Sequence, residues 1–482
     1  MPVRPMSREQ AWLLPPNLDE LLPHDHPVRF VAVFVGGLDR AHWAEMGIDL
    51  GGDVMGAPSY HPRVLLCAWL YGFMRGIRSS RKIEQACRDQ IPFLWLTGFQ
   101  HPDHNTLWRF YKAHRQAMRS LLKYTVATAM EVGLVDLALQ AVDGTKVAAN
   151  AAGDQTHDHD GLQRLLERTE VAIAELEAQN VADDDPSPPR LPNELQRAQT
   201  LRQRVRDAMD RLAEPGSPKR VNLTDEDAQL MKGRQGIVPA YNAQAMVSPL
   251  PSESGNGMLI TAADVDTNAA DYGQLVPMVE QAESVLGERV EITLADGGYH
   301  TAANLEAGAQ RGQTFVMPER YHKGVQGPYF KDQFIYDPTT DSYQCPQGQR
   351  LPFRGIAKSN GKIPGPIRLY RASRTVCRTC PAYGVCTKDK HSGRALWIGP
   401  SDALLRRHRE WMPTEEAQRL YSRRKGLVEP VFGILKEQMG ARRFLLRGLA
   451  NVKAEFTLLA VAFNLKTLCR ILSTSSHTAP AT

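Results

Sequence analysis

The chain has 482 residues, long enough for two or three domains and a large core. Apolar residues make up 42% and charged residues 23%, which excludes a disordered, fibrous or collagen-like chain. A net charge of +5 is too mild to point to nucleic acid by itself, so its distribution matters more than its sum.

The opening stretch, MPVRPMSREQAWLLPP, has no long apolar run and no cleavage-site pattern, and reads as no signal peptide. The apolar stretches VLLCAWLYGF and FTLLAVAFNL read as too short to span a bilayer. These features predict an intracellular, cytoplasmic protein without a membrane partner.

Residues 1–125 are expected to form a helical domain. VLLCAWLYGFMRG is an apolar helix, SSRKIEQACRDQ follows with Ser79 or Ser80 as its N-cap, and HPDHNTLWRFYKAHRQAM starts at a cap formed by Asn105 or Thr106. Arg75, Arg78, Arg81, Lys82, Arg109 and Lys112 are scattered among these helices. Short helices bearing bases suit a DNA-binding domain, and they suit equally a bundle with a solvated charged face.

Residues 126–320 read as the first part of an α/β core. LALQAVDGTKVAANAA is a strand ending in Asp143 and a turn. Segment 154–217 reads as a helical-hairpin insertion, with one stripe through Leu162, Thr169, Ile173 and Leu176 and a second through Leu195, Leu201, Val205 and Leu212. Between the stripes lies DDDPSPPRLP, which no helix crosses. IVPAYNAQAMVS and GMLITAADVD are strands, AADYGQLVPMVEQAESVL a helix, ERVEITLADGGYH a strand ending at Asp296, AANLEAGAQR a helix and TFVMP a buried strand. This order predicts a mixed five-stranded sheet with flanking helices. Residues 321–400 are a Gly-, Pro- and Cys-rich insertion, 401–472 return to helix, and 473–482 are an unstructured tail.

Three strands are read as ending in an aspartate: Asp143, Asp264 and Asp296. If the first three strands form an antiparallel meander and a right-handed crossover brings the Asp296 strand beside the first, Asp143 and Asp296 end neighbouring parallel strands about 4.8 Å apart. The Asp264 strand then lies about 10 Å from the first. Ligands favour the carboxyl ends of adjacent parallel strands, so the geometry favours Asp143 with Asp296. Two close carboxylates both stay ionised only if cations neutralise them, and oxygen-only ligands select Mg²⁺ or Mn²⁺. Gly144, Gly297 and Gly298 follow the acids and allow a sharp turn beside a substrate phosphate. An aspartate after a strand is also an ordinary turn former.

Glu429 is the candidate for a third acid. In YSRRKGLVEPVFGILK, the side chains of Val428, Val431, Phe432, Leu435 and Met439 form one apolar stripe, with Glu429, Lys436 and Lys425 at its margin. Pro430 follows Glu429 directly and predicts that the helix begins or kinks at 429–430, aiming the carboxylate at the sheet. From Arg419 to Lys453 there are nine Lys or Arg and two acids, a concentration of charge suited to phosphates.

AVDGTKVAANAA, LMKGRQGIVPAYNAQAMV, LADGGYHTAANL and VEPVFGILK followed by RRFLLRGL, in that order, resemble the DDE transposases of bacterial insertion sequences. The likeness runs over nearly the whole chain, including the helical N-terminal domain typical of one group. It implies a ribonuclease-H-like core and a metal-binding triad of Asp143, Asp296 and Glu429. It also implies two Mg²⁺ (or Mn²⁺) ions and a DNA partner, both terminal inverted repeats and target, with a homodimer or higher oligomer on that DNA in the bacterial nucleoid. Many relatives place a Tyr and an Arg before the Glu and a Lys seven residues after it. Lys436 fits the last position; at the usual upstream spacing stand Lys425 and Ser422, with Tyr421, Arg423 and Arg424 adjacent. Lys232 and Arg234 join these as candidate backbone contacts. A nuclease on the same core, and a catalytically dead transposase descendant that only binds DNA, are the competing readings.

Cys345, Cys377, Cys380 and Cys386 are spaced C-x31-C-x2-C-x5-C. That pattern matches a structural Zn²⁺ site, which would let a Gly/Pro-rich segment fold with little core; free thiols are the alternative. Cys67, Cys87 and Cys469 fall in apolar helical contexts and read as core.

Overall fold

The computed structural model describes residues 17–50, 60–180, 193–233, 236–251, 257–319, 327–357, 365–389 and 391–477. The chain divides into two compact units, one formed by residues 1–271, 277–289 and 425–482 and the other by 272–276 and 290–424.

The first unit begins with seven helices: α1 (Pro27–Gly37), α2 (Arg40–Glu45), α3 (Pro62–Met74), α4 (Ser80–Asp89), α5 (Ile91–Thr97), α6 (His104–His114) and α7 (Leu121–Glu131). Ten consecutive residues of α3, Leu65 to Met74, are buried, so this helix is apolar all round because it is enclosed all round. Helix α6 is capped by Asp103, whose carboxylate accepts from the Asn105 and Thr106 amides, and not by Asn105 or Thr106 themselves. Asp103, two residues before Asn105, is an equally good cap by type, and it places the helix start at His104.

Strand β1 (Leu139–Ala148) leads through the short strand β2 (Thr156–His157) into the long helices α8 (His159–Asn180) and α9 (Asn193–Ala213). Leu162 of α8 packs with Val205 and Ala208 of α9 and with Val221 and Leu223, so the expected hairpin has its own small core. The connecting DDDPSPPRLP lies outside the described residues. Short β3 (Val221–Asn222) is followed by β4 (Gln229–Gly233), β5 (Gly236–Pro249), β6 (Met258–Asp266) and helix α10 (Leu275–Leu286). Strand β5 pairs antiparallel with β4, β1 and β6, which is the expected meander with a further short strand added.

In the second unit, β7 (Ile292–Leu294), helix α11 (Ala302–Arg311) and β8 (Thr314–Val316) form a βαβ element with parallel strands. A separate antiparallel sheet follows: β9 (Ile335–Asp337), β10 (Ser342–Gln344), β11 (Arg350–Ala357), β12 (Ile367–Arg371) and β13 (Ala395–Ile398), with helix α12 (Arg374–Arg378) before the last strand. Phe334, Leu351, Tyr370, Ala372 and Leu396 form its core. Helix α13 (Asp402–Trp411) and helix α14 (Glu415–Gly433) as far as Arg424 close this unit, and the rest of α14 belongs to the first.

After a π-helical turn at Ile434–Gln438, helix α15 (Leu449–His477) completes the first unit. It takes in FTLLAVAFNL and continues to His477, into the segment expected to be an unstructured tail. Its stretch Leu449–Ser473 is long and apolar enough to cross a membrane, contrary to the sequence reading, but 78% of its apolar window is buried inside the protein. It is therefore the core helix of this unit, with Ile260 of β6 bonded through backbone N–H and C=O to Asn464. The protein is thus mixed α/β with a helical N-terminal part.

Candidate active site

Asp143 lies in the middle of β1, opposite Ala245 of β5, and not at the strand's end. The strand runs on because Thr145 to Ala148 continue the pairing with β5. Gly144 therefore makes no turn. A Cβ there would lie 2.3 Å from Gln244 Nε2 and 2.6 Å from Asp271 Oδ1, so glycine makes room for a polar cluster. In that cluster Asp271 Oδ1 accepts from Asn242 Nδ2 at 2.7 Å and Gln244 Nε2 at 2.8 Å, with Lys146 Nζ at 3.4 Å.

Residues on a strand alternate faces, so Asp143 and Thr145 share the face opposite Gly144 and Lys146. Lys436 donates to the Thr145 hydroxyl and, at 3.2 Å, to the Lys146 carbonyl. Beyond Lys436 the chain runs alongside the end of β1, where the Phe444 amide donates to the Ala148 carbonyl at 2.9 Å and the Ala148 amide to the Arg442 carbonyl at 3.2 Å. These bonds dock the end of the Glu429-bearing helix against the Asp143-bearing strand.

Within the first unit, Asp143, Thr145, Lys232, Glu429, Lys436 and Arg442 help line one cavity of about 730 Å³. The apolar stripe holds as expected: Val428, Val431, Phe432, Leu435 and Met439 are all buried, and Glu429 stands exposed at its margin. The expected break at Glu429 does not occur. Helix α14 runs through Pro430 to Gly433, and the irregularity is the π-turn that follows, where the Met439 amide donates to the Ile434 carbonyl at 3.0 Å. Proline removes one donor, and the carbonyl it crowds belongs to Gly426, whose Cβ position is open space. The wider turn carries Lys436, and π-turns of this kind recur at functional sites.

Asp296 follows β7 in the second unit. Its carboxylate accepts from the Gly298 amide at 2.6 Å, which folds the turn, and lies 3.9 Å from Arg424 NH2. Arg424 is 7% exposed, and its guanidinium faces the half-buried Asp296 carboxylate. Tyr421 is half-buried, Arg423 and Lys425 are exposed on α14, and Lys232 is exposed on β4. Arg234 lies outside the described residues. Asp264 sits on β6, separated from β1 by β5, and is held by Lys453 at 2.8 Å and Arg119 at 3.7 Å, which is a structural arrangement. Sequence reasoning counted Arg442 only among the nine bases of its segment and missed Thr145, for which strand alternation from Asp143 was the signal available.

Cys345, Cys377, Cys380 and Cys386 line one small cavity of about 20 Å³ in the second unit. All four are free thiols; Cys345 Sγ accepts from the Gln349 amide at 3.2 Å and Cys377 Sγ from the Arg394 amide at 3.4 Å. Burial pushes the Cys386 thiol up, and the three other sulfurs add to the rise. Among the described residues no group of three or more His, Cys, Asp or Glu side chains is already arranged around a metal position. Cys67, Cys87 and Cys469 are buried in helices, as expected.

Two protein-family models match the chain: Transposase domain (DUF772) over residues 16–113 and Transposase DDE domain over 344–469. No curated protein matches it. A helical transposase domain followed by a DDE domain defines a transposase, an enzyme class that acts on DNA and generally uses divalent metal ions. Together the two matches support a DDE transposase of an insertion sequence.

Proposed function

We propose that the protein cuts DNA at the ends of its insertion sequence and joins those ends to target DNA, on a ribonuclease-H-like core whose metal-binding triad is Asp143, Asp296 and Glu429. The observation that carries this reading is the single cavity lined by Asp143, Glu429 and Lys436. The donor set fits: an exposed carboxylate at Glu429 and half-buried ones at Asp143 and Asp296, with no sulfur or imidazole among them, suit a hard ion such as Mg²⁺ or Mn²⁺. When bound, two such ions supply an activated water or 3′-hydroxyl and stabilise the leaving 3′-oxygen. Lys436, fixed by Thr145, places a positive charge beside the scissile phosphate, and Lys425, Arg423, Tyr421, Lys232 and Arg234 hold the flanking backbone. Arg424 orients Asp296. The working form is a homodimer or higher oligomer on terminal-repeat DNA in the bacterial nucleoid.

The purified protein with Mg²⁺ and pre-cut terminal-repeat DNA is expected to give strand-transfer products. Cleavage of intact ends without any joined product would support the nuclease reading instead, and neither product would support a DNA-binding descendant.

Zinc at the four cysteines belongs to the same proposal. Four thiols on one cavity, two of them already accepting backbone N–H bonds, form a donor set that Zn²⁺ favours. The expected result is about one zinc per chain by elemental analysis, with 350–400 becoming protease-sensitive on chelation. A metal-free protein whose digestion pattern ignores the chelator would reduce these residues to ordinary thiols.

A further inference from the structure

The cysteine-bearing sheet is charged unlike the rest of the chain. From Ser342 to Pro400 the sequence holds 11 Lys or Arg and one acid, Asp389. Taking these from the chain totals of 58 bases and 53 acids leaves 47 and 52, so residues outside this segment sum to −5 while the segment alone carries +10. Solubility does not require such a division.

The sheet's two faces differ. Leu351, Tyr370 and Leu396 turn to the core, and Arg368 on the same side is ion-paired with Asp341 at 2.6 Å. The opposite face carries the cross-strand row Gly355, Leu369 and Trp397, in register on β11, β12 and β13. Trp397 is 45% exposed, Gly355 and Leu369 are half-buried, and a Cβ on Gly355 would meet nothing within 4 Å. Arg354 and Arg371 stand beside it, with Arg354 Nε bonded to the Arg371 carbonyl at 3.4 Å, and Arg374 opens helix α12 just beyond. Among the described residues no carboxylate pairs with Arg354, Arg371 or Arg374. Uncompensated arginines around an exposed indole match a phosphate backbone, because guanidinium groups take phosphate oxygens bidentately.

We propose that this face of the sheet is a DNA-binding surface that grips the phosphate backbone through Arg354, Arg371 and Arg374, with Trp397 packed against the strand between them. The proposal rests on the transposase reading and adds a contact region remote in sequence from the basic helix α14.

The test uses the full chain in a D143N background, so that cleavage does not obscure binding. Affinity for a random-sequence duplex is measured across salt concentrations. Relative to D143N alone, the added R354A/R371A/R374A changes are expected to weaken binding at least tenfold at about 0.1 M salt. They should also make the log–log salt slope shallower by about one unit per arginine. R354K/R371K/R374K should retain most of the slope, because the charge is kept. If the alanine triple fails to fold, the single exposed variants R354E and R374E carry the same test. An unchanged slope in every variant overturns the surface while leaving the transposase reading intact; a D143N parent that binds no DNA at all overturns both. Loss confined to single-stranded DNA, with duplex binding intact, also overturns the backbone-gripping surface.

Discussion

Glu429→Gln and Asp143→Asn are each expected to reduce Mg²⁺-dependent cleavage of terminal-repeat DNA by about a thousandfold or more, equivalent to roughly 4 kcal/mol of transition-state stabilisation. Duplex binding should remain within about threefold of wild type, because phosphate affinity resides in the bases and removing a carboxylate removes no attractive contact. Both substitutions are nearly isosteric. Glu429 is exposed at the margin of a buried stripe, so Gln disturbs neither Val428 nor Phe432. Asp143 accepts from the Gly144 amide at 2.8 Å, a bond that an Asn carbonyl oxygen can also accept. Loss of activity with binding and folding retained therefore reports metal-dependent chemistry. Full cleavage by either variant would remove that residue from the triad. An intermediate result is informative for Lys436→Met: it should lose less activity than the acids, and lose binding as well, because it contributes charge to the phosphate and not to the metal ions.

The acids of this site were legible because each stands out from its surroundings. Glu429 is one of two acids amid nine bases, and period-3.6 spacing alone placed it at the edge of the stripe that the structure buries. IVPAYNAQAMVS and GMLITAADVD were likewise legible as the strands β5 and β6, and the two helical stripes gave α8 and α9. Boundaries were harder. Asp143 resembles a turn former because Asp-Gly usually ends a strand, yet the pairing of Thr145 to Ala148 with β5 outweighs local preference and carries β1 through it. The role of Gly144 depends on Gln244 and Asp271, about 100 or more residues away in sequence, and no local pattern encodes that encounter. Pro430 argued for a break because propensity was weighed without tertiary context. Burial of Val428, Val431 and Leu435 holds the helix together across the missing hydrogen bond.

Arg78→Ala is expected to destabilise the first unit by about 3–5 kcal/mol. Arg78 lies among bases that suggested a DNA-facing surface, but its side chain is 6% exposed and meets that of Glu455 of α15, itself 2% exposed, at 2.7 Å. It also donates to the carbonyls of Gly440 and Arg443, the latter at 3.0 Å. Glu455 in turn accepts from the amides of Leu445 at 3.0 Å and Leu446 at 2.9 Å. The pair thus pins the segment that follows the Lys436 turn to the core helix. Removing Arg78 leaves a buried carboxylate with no cation. Burial already raises the Glu455 carboxyl above its ordinary value, and Arg78 is the chief force opposing that rise. A carboxyl raised in the folded state costs stability as pH climbs above its unfolded value, because the folded protein then holds a proton that the unfolded chain has released. Without Arg78 the folded value rises further, so the variant's deficit should be small near pH 5 and grow towards pH 8. Thermal unfolding followed at both pH values measures it. A deficit equal at the two pH values would mean that Arg78 acts through packing and its carbonyl hydrogen bonds and not through the Glu455 charge.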